Sequence, residues 1–213
     1  MHDATRQVSN LRLAIAQGVP SSHLSALLAL QRAEEPEVTI AFFEVTSDAL
    51  IAGLREDRYD AGLLLQGLSD PALKSQRLWI ENRAVAVPLR LPSLSQAALT
   101  IAELVDYPLF RWPAEACPLL DERLSSVTPT DEQCIQRVTS FEMMAIWVAA
   151  GYGIGICAQS RVQQANALGI DMRPLSNGPY EIVTHLLRPS GQANSAAEQF
   201  ERRALQIARA GAA

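Results

Sequence analysis

With 213 residues, 48% of them hydrophobic, the chain can build one large domain or two lobes of about 100 residues each, and its composition is not that of a disordered segment. The formal net charge is −5 and the only lysine is Lys74, so the basic footprint of a nucleic-acid grip is missing. No apolar run reaches the roughly 18 to 20 residues of a membrane span, and three widely spaced cysteines and three scattered histidines make neither a disulfide framework nor a metal set.

Met1 to Asn10 is polar and lacks the apolar core of a secretory signal, which makes a cytoplasmic location the expectation. Leu11 to Gln17 reads as a strand, followed by the turn Gly18-Val19-Pro20-Ser21-Ser22. From Ser22 to Ala33, Leu24, Leu27, Leu28 and Leu30 recur at helical spacing until Pro36 ends the pattern. A second strand, Val38 to Val45, closes on Thr46-Ser47, and Leu50, Ile51 and Leu54 mark a short helix. Ala61 to Leu65 is apolar throughout, as expected of a central parallel strand covered on both faces. Residues 11 to 65 are therefore expected to fold as β-α-β-α-β.

Two extended runs follow, Arg77 to Glu81 and Arg83 to Pro88, broken at Asn82, and then a loop from Leu89 to Ala98. Thr100 and Glu103 have the spacing of a capping box, in which side chains satisfy the orphan donors of a helix start. Pro108 to Trp112 reads as a strand, Pro118 to Leu124 as a helix and Gln133 to Val138 as a strand. Thr139 and Glu142 repeat the box spacing ahead of a helix through Met143, Met144, Ile146, Trp147 and Val148. Gly151 to Cys157 is a turn into a strand. A helix over Ser160 to Leu168, an extended piece near Met172 and a strand from Glu181 to Leu187 come next. Ser195 and Glu198 open a terminal helix with a third box. The β-α-β pattern restarts after residue 100, which implies two α/β lobes.

Three times a strand ends in Ser or Thr and a helix begins at once: at Ser21-Ser22, at Thr46-Ser47 and at Thr139-Ser140. A helix start carries unpaired N–H groups and partial positive charge, and such turns gather at the carboxyl ends of parallel strands, where open α/β folds bind ligands. Two turns early in the chain and one late suggest a small polar or anionic ligand held between two lobes, by a sensor or a carrier. Gly151, Gly153 and Gly155 imitate a phosphate loop, but they precede a strand instead of opening a helix, so they read as tight-turn glycines. With no nucleophile elbow, no metal set and no paired carboxylates on one turn, neither catalysis nor a cofactor is expected.

The order of these segments resembles the effector-binding domain of LysR-type transcriptional regulators. The residues that carry the likeness are Leu11 to Ala16, Leu27 to Arg32 with Glu35 to Ile40, Glu44 to Leu54, Arg58 to Leu65, Ser140 to Met143 and Val148 to Ile156. The resemblance implies the type 2 periplasmic-binding-protein fold, an α/β fold of two Rossmann-like lobes joined by two crossover strands. Lobe I would take residues 11–85 and 188–213, and lobe II residues 86–187. Hinges would lie near Arg83 to Val87 and near Thr184 to Leu187, and residues 1–10 would be a linker remnant. It also implies a winged helix-turn-helix domain ahead of the sensor, absent from this chain, through which alone DNA would be bound. The regulator would be a homodimer, and a tetramer at full length, with no membrane partner.

On that likeness the ligand-binding residues are Pro20, Ser21 and Ser22 at the first turn, Thr46 and Ser47 at the second, and Gln66 after the third strand. The other lobe supplies Arg111, Trp112, Thr139, Ser140 and Phe141. Capping alone also explains the serines and threonines, and Arg111 reads first as a surface residue and second as a bidentate partner for a carboxylate. The expected effector is a small organic anion that controls transcription. A solute-binding protein of the same fold is the alternative. A redox sensor is another, because Cys117 lies beside the expected helix start at Pro118, where a thiolate is favoured.

Overall fold

The elements in chain order are β1 (Asn10–Ala16), α1 (Leu24–Glu34), β2 (Thr39–Val45), α2 (Ser47–Arg55), β3 (Ala61–Leu64), β4 (Leu73–Pro88), α3 (Ile101–Leu104), β5 (Leu109–Arg111), α4 (Pro118–Val127), β6 (Ile135–Arg137), α5 (Phe141–Ala149), β7 (Ile154–Ala158), α6 (Gln159–Gln164), β8 (Ile170–Pro174), β9 (Glu181–Pro189) and α7 (Ser195–Ala210). This computed structural model describes residues 10–20, 22–65, 67–89, 97–111, 118–127, 135–138, 140–178, 180–191 and 194–211. It falls into two units: one takes the chain up to Trp79 and again from Val183, and the other is Ile80–Ile182. β4 and β9 are the strands that pass from one unit to the other.

In the first unit β1 pairs in parallel with β2, Asn10 opposite Thr39 and Ala16 opposite Val45, and on its other side with β3, Leu13 opposite Ala61. β9 runs antiparallel to β3, Gly62 opposite Leu187. All four residues of β3 are buried, as its unbroken apolar sequence requires of a strand covered on both faces. Leu11, Leu13, Leu27, Leu50, Leu54, Leu63, Leu64 and Phe200 form the fully buried interior. β2 is the edge strand and is largely uncovered, with Phe42 56% and Phe43 37% exposed.

In the second unit β4 lies between β7 and β8, antiparallel to both, and β5 pairs in parallel with β7 and β6. Alternate residues of β4 feed two cores on opposite faces. Val85 and Val87 join Leu104, Leu109, Leu120 and Ile154, while Ala86 joins Phe110, Met144, Val148 and Ile170. The expected break at Asn82 is not there, and Leu73–Pro88 is one strand of 16 residues. Asparagine's weak strand preference is overridden because the residues beside it are tied down. The Arg83 N–H donates to the Tyr180 carbonyl at 2.8 Å, and Ala84 is laddered to both β7 and β8.

Of the three expected capping boxes, one forms as read. Thr100 Oγ1 accepts from the Glu103 N–H at 3.3 Å, while the Glu103 carboxylate accepts from the Thr100 N–H at 2.7 Å. At α5 the cap is Ser140, not Thr139, which lies outside the described residues. Ser140 Oγ accepts from the Met143 N–H at 3.3 Å and donates to Glu142 at 2.9 Å. At α7 the cap is Asn194, one residue ahead of Ser195. Its amide is better suited than a hydroxyl to two tasks: Oδ1 accepts from the Ala196 N–H at 3.0 Å, and Nδ2 donates to the Asn10 carbonyl at 2.8 Å.

The glycine reading also needs correction. Gly151 alone of the three has a left-handed backbone, with φ 85°. Gly153 and Gly155 are glycines because their neighbours come too close for a side chain: a Cβ would stand 2.2 Å from the Pro108 carbonyl oxygen and 2.7 Å from Met144 Sδ respectively.

Candidate functional site

The parallel registers bring the carboxyl ends of β1, β2 and β3 to one edge of the first unit's sheet. The turn after β1 is held by the Gln17 N–H on the Val45 carbonyl at 3.0 Å and reverses at Gly18, φ 90°. Pro20 is buried and Ser21 lies outside the described residues. Ser22 does not cap α1. The N-cap position belongs to His23, whose side chain makes no capping bond, and Ser22 Oγ lies 3.0 Å from His23 Nδ1. The imidazole stacks on Trp79, ring centroids 5.1 Å apart and planes at 18°. Among the described residues α1 therefore starts with no side-chain cap, and no acidic residue stands in its first turn.

At the second turn Thr46 caps α2 as expected, Oγ1 accepting from the Ala49 N–H at 3.3 Å, and Ser47 is the first helical residue. Asp48 already places a carboxylate in that first turn. Gln66 lies outside the described residues. The loop beyond it passes close over His185: a Cβ on Gly67 would stand 2.8 Å from its ring, which lies 3.4 Å from Ser75 Oγ. Burial, then the nearby Arg77 charge, pull the His185 pKa below its ordinary value, so the ring is neutral near pH 7.

In the second unit Arg111 ends β5, half-buried, and its carbonyl accepts from the Val138 N–H at 2.9 Å. That bond ties it to the approach to α5. Ser140 caps α5, and Phe141 is buried behind it with the Arg161 guanidinium 5.8 Å from its ring centre. Glu142 is held below the usual carboxylate range by its own N–H and by the Ser140 hydroxyl. The positive end of α5, like that of α2, is thus already faced by a carboxylate.

Trp112, Thr139 and Cys117 lie outside the described residues, as does Cys134. Cys157 is fully buried, and burial pushes its thiol up to about 12, which leaves it inert at neutral pH. Among the described residues no group of three or more His, Cys, Asp or Glu side chains is placed to hold a metal ion. Sequence reasoning missed His23 and Trp79. Their only signal was a histidine sitting between a serine turn and the first apolar residue of a helix.

The chain matches the family model described as the LysR substrate binding domain over residues 5–208. It belongs to that family. It is 27% identical over 172 residues to BenM, an HTH-type transcriptional regulator of Acinetobacter baylyi, a match that covers 75% of this chain and 56% of BenM. The chain thus spans about half the length of the curated relative it matches. The effector-binding domain of BenM with its effector benzoate is similar in structure, with a TM-score of 0.80 at 21% identity over 95% of this chain and 93% of that one. The effector-binding domain of QuiR in complex with shikimate also gives a TM-score of 0.80, at 16% identity over 94% of this chain and 97% of that one. At these identities the likeness speaks for the fold, the α/β fold of LysR effector-binding domains and type 2 periplasmic-binding proteins.

Proposed function

We propose that this chain is the effector-sensing part of a LysR-type transcriptional regulator and not an enzyme, working in the cytoplasm and binding a small organic anion. The observation that carries the anion is the start of α1. It is an 11-residue helix with no acidic residue in its first turn and, among the described residues, no side-chain cap, so its partial positive charge favours a carboxylate. Benzoate and shikimate, named with the two similar domains, are both carboxylates in solution. Thr46 at the start of α2 and Ser140 at the start of α5 are the side chains whose substitution tests the reading. The effector favours one arrangement of the units over others and so shifts the population, which a DNA-binding domain elsewhere in the regulator reads out.

The test is a thermal-shift screen with benzoate, shikimate and other small carboxylates, followed by calorimetry on the best of them. A bound acid raises the apparent stability, and Thr46→Ala and Ser140→Ala are each expected to weaken it about tenfold, the loss of roughly one good hydrogen bond to a charged group. Binding that survives both substitutions intact would remove the site from these turns.

The uncovered face of the first unit supports a homodimer. Leu28 of α1 and Ile40 and Phe42 of β2 line a hollow of about 290 Å³ beside the edge strand, and Phe42 is more than half exposed. An apolar, unpaired edge of this kind is covered in stable proteins. In the second unit, Met143 and Ile146 on α5 are 42% and 53% exposed and are apolar surface of the same kind. Light scattering is expected to give a dimer mass for the wild type and a monomer mass for Phe42→Glu. Equal masses for the two proteins would place the contact elsewhere.

A further inference from the structure

Within the first unit, β9 places His185 directly opposite Leu64, the last residue of β3. The segment that leaves β3 passes so close over the imidazole that a Cβ on Gly67 would stand 2.8 Å from Cε1, 3.2 Å from Nδ1 and 3.3 Å from Nε2. His185 Nδ1 also lies 3.4 Å from Ser75 Oγ of β4, and that oxygen accepts from the Leu68 N–H at 3.4 Å. One ring thus packs on the segment at Gly67 and reaches Leu68 through a hydroxyl.

The groups around the ring decide what a proton on it does. Leu64 of β3 is apolar. By strand alternation Ser75 and Arg77 share one face of β4 and Lys74 takes the other. Burial, and then Arg77, oppose a charge on the imidazole. Asp70, the segment's own carboxylate, is spent on Arg55 of α2 at 2.6 Å and on the Ala72 N–H at 2.8 Å, and these bonds hold it below the usual carboxylate range. It stays ionised near neutral pH and anchors the far end of the segment, where the Ala72 carbonyl also accepts from the Ser190 N–H at 2.8 Å. The end at Gly67 and Leu68 rests on a group that can titrate.

We propose that His185 is a positioning residue that latches this segment: as a neutral imidazole it holds Gly67 and, through Ser75, Leu68 on the sheet, and on taking a proton it releases them. With its hydrogen on Nε2, the neutral ring accepts at Nδ1 from the Ser75 hydroxyl, whose oxygen accepts in turn from Leu68. A proton on Nδ1 reverses the first of these bonds. The hydroxyl hydrogen then loses its acceptor, and the new charge sits under Gly67, away from water on that side. The released form binds the proton better than the latched one. Latching is therefore complete above the ordinary histidine value of about 6.5 and is lost as the pH falls below it. The segment leaves β3 on the sheet edge where β1 and β2 also end. On the effector reading above, its release also weakens the hold on the ligand.

The experiment is an NMR titration of the ligand-free chain from about pH 8 to about pH 5. It follows the His185 ring and the exchange protection of the Gly67 and Leu68 amides, each rate divided by that of an unfolded peptide at the same pH. The protection is expected to fall several-fold, with the same midpoint as the ring and below the ordinary histidine value. His185→Gln should remove that step. Ser75→Ala should remove it at Leu68 while the ring still titrates, and Gly67→Ala, which forces the segment off the ring, should return the ring's midpoint toward the ordinary value. Protection that does not change with pH, or a step that survives in His185→Gln, overturns the latch. Calorimetry with the best carboxylate at about pH 7.5 and about pH 5.5 tests the link to binding, because small carboxylic acids stay ionised over that range. Affinity should fall several-fold in the wild type and stay constant in His185→Gln, and equal wild-type affinities at the two pH values overturn the link. If no carboxylate binds, the effector reading fails, and the titration, which needs no ligand, still decides the latch.

Discussion

Arg203→Ala is expected to cost about 3 to 5 kcal/mol, the loss that follows when one partner of a buried charge network is removed. Arg203 is 5% exposed and ties α7 to the carboxyl end of α1. Its Nε donates to Glu34 at 2.7 Å, and its Nη1 donates to Gln31 and to Glu35, each at 3.0 Å. Gln31 in turn donates its amide to Glu35 at 3.0 Å and is itself buried. Truncating the arginine leaves the Glu35 carboxylate, whose side chain is 13% exposed, on the seam with that amide as its one side-chain partner among the described residues. Glu34 is nearly half exposed and recovers water, which holds the expected cost toward the lower end. Urea unfolding would show a lower midpoint at unchanged slope. A loss under about 1 kcal/mol would mean that the seam is held by apolar contacts and that the network is close to neutral.

The same network shows where the sequence was legible and where it was not. In the sequence Glu34 and Glu35 merely precede the Pro36 that ends a helical pattern, and Arg203 is one of several charges in the terminal helix. Nothing local ties residues 169 positions apart. What could be read were local signals: the apolar run of β3, the Thr100 box, and the strand-turn-helix order of the first 65 residues. These depend on hydrophobic periodicity and caps a few residues away. Misreadings arose where a neighbour in space competes with the local pattern. Asn194 takes the α7 cap from Ser195 because its amide also reaches Asn10. His23 takes the α1 start from Ser22, with its ring against Trp79. Asn82 stays in β4 because strands on both sides hold its neighbours. In the candidate site the residue types were legible at Thr46 and Ser140, where one side chain caps one helix. The start of α1 was not, since its N-cap is a histidine whose ring stacks on Trp79 and makes no capping bond.

Gly153→Ala is expected to be the most damaging single methyl group in the second unit, at about 3 kcal/mol, the upper end for overpacking. The added Cβ would stand 2.2 Å from the Pro108 carbonyl oxygen and 3.0 Å from its carbon. The obstacle is backbone, so no rotamer change relieves it. The same carbonyl accepts the Ile154 N–H at 2.9 Å, the bond that starts the pairing of β7 with β5, and Leu109 lies directly opposite Ile154. Relief therefore means parting β5 from β7, with Ile154 and Leu109 both buried in one core. Gly151→Ala, two residues away, meets nothing within 4 Å and carries only the strain of its left-handed backbone, about 1 kcal/mol. Thermal unfolding of the two variants side by side separates the causes. A large fall for Gly153→Ala with a small one for Gly151→Ala assigns the segment's glycines to close packing at β7. The reverse order would return them to the turn.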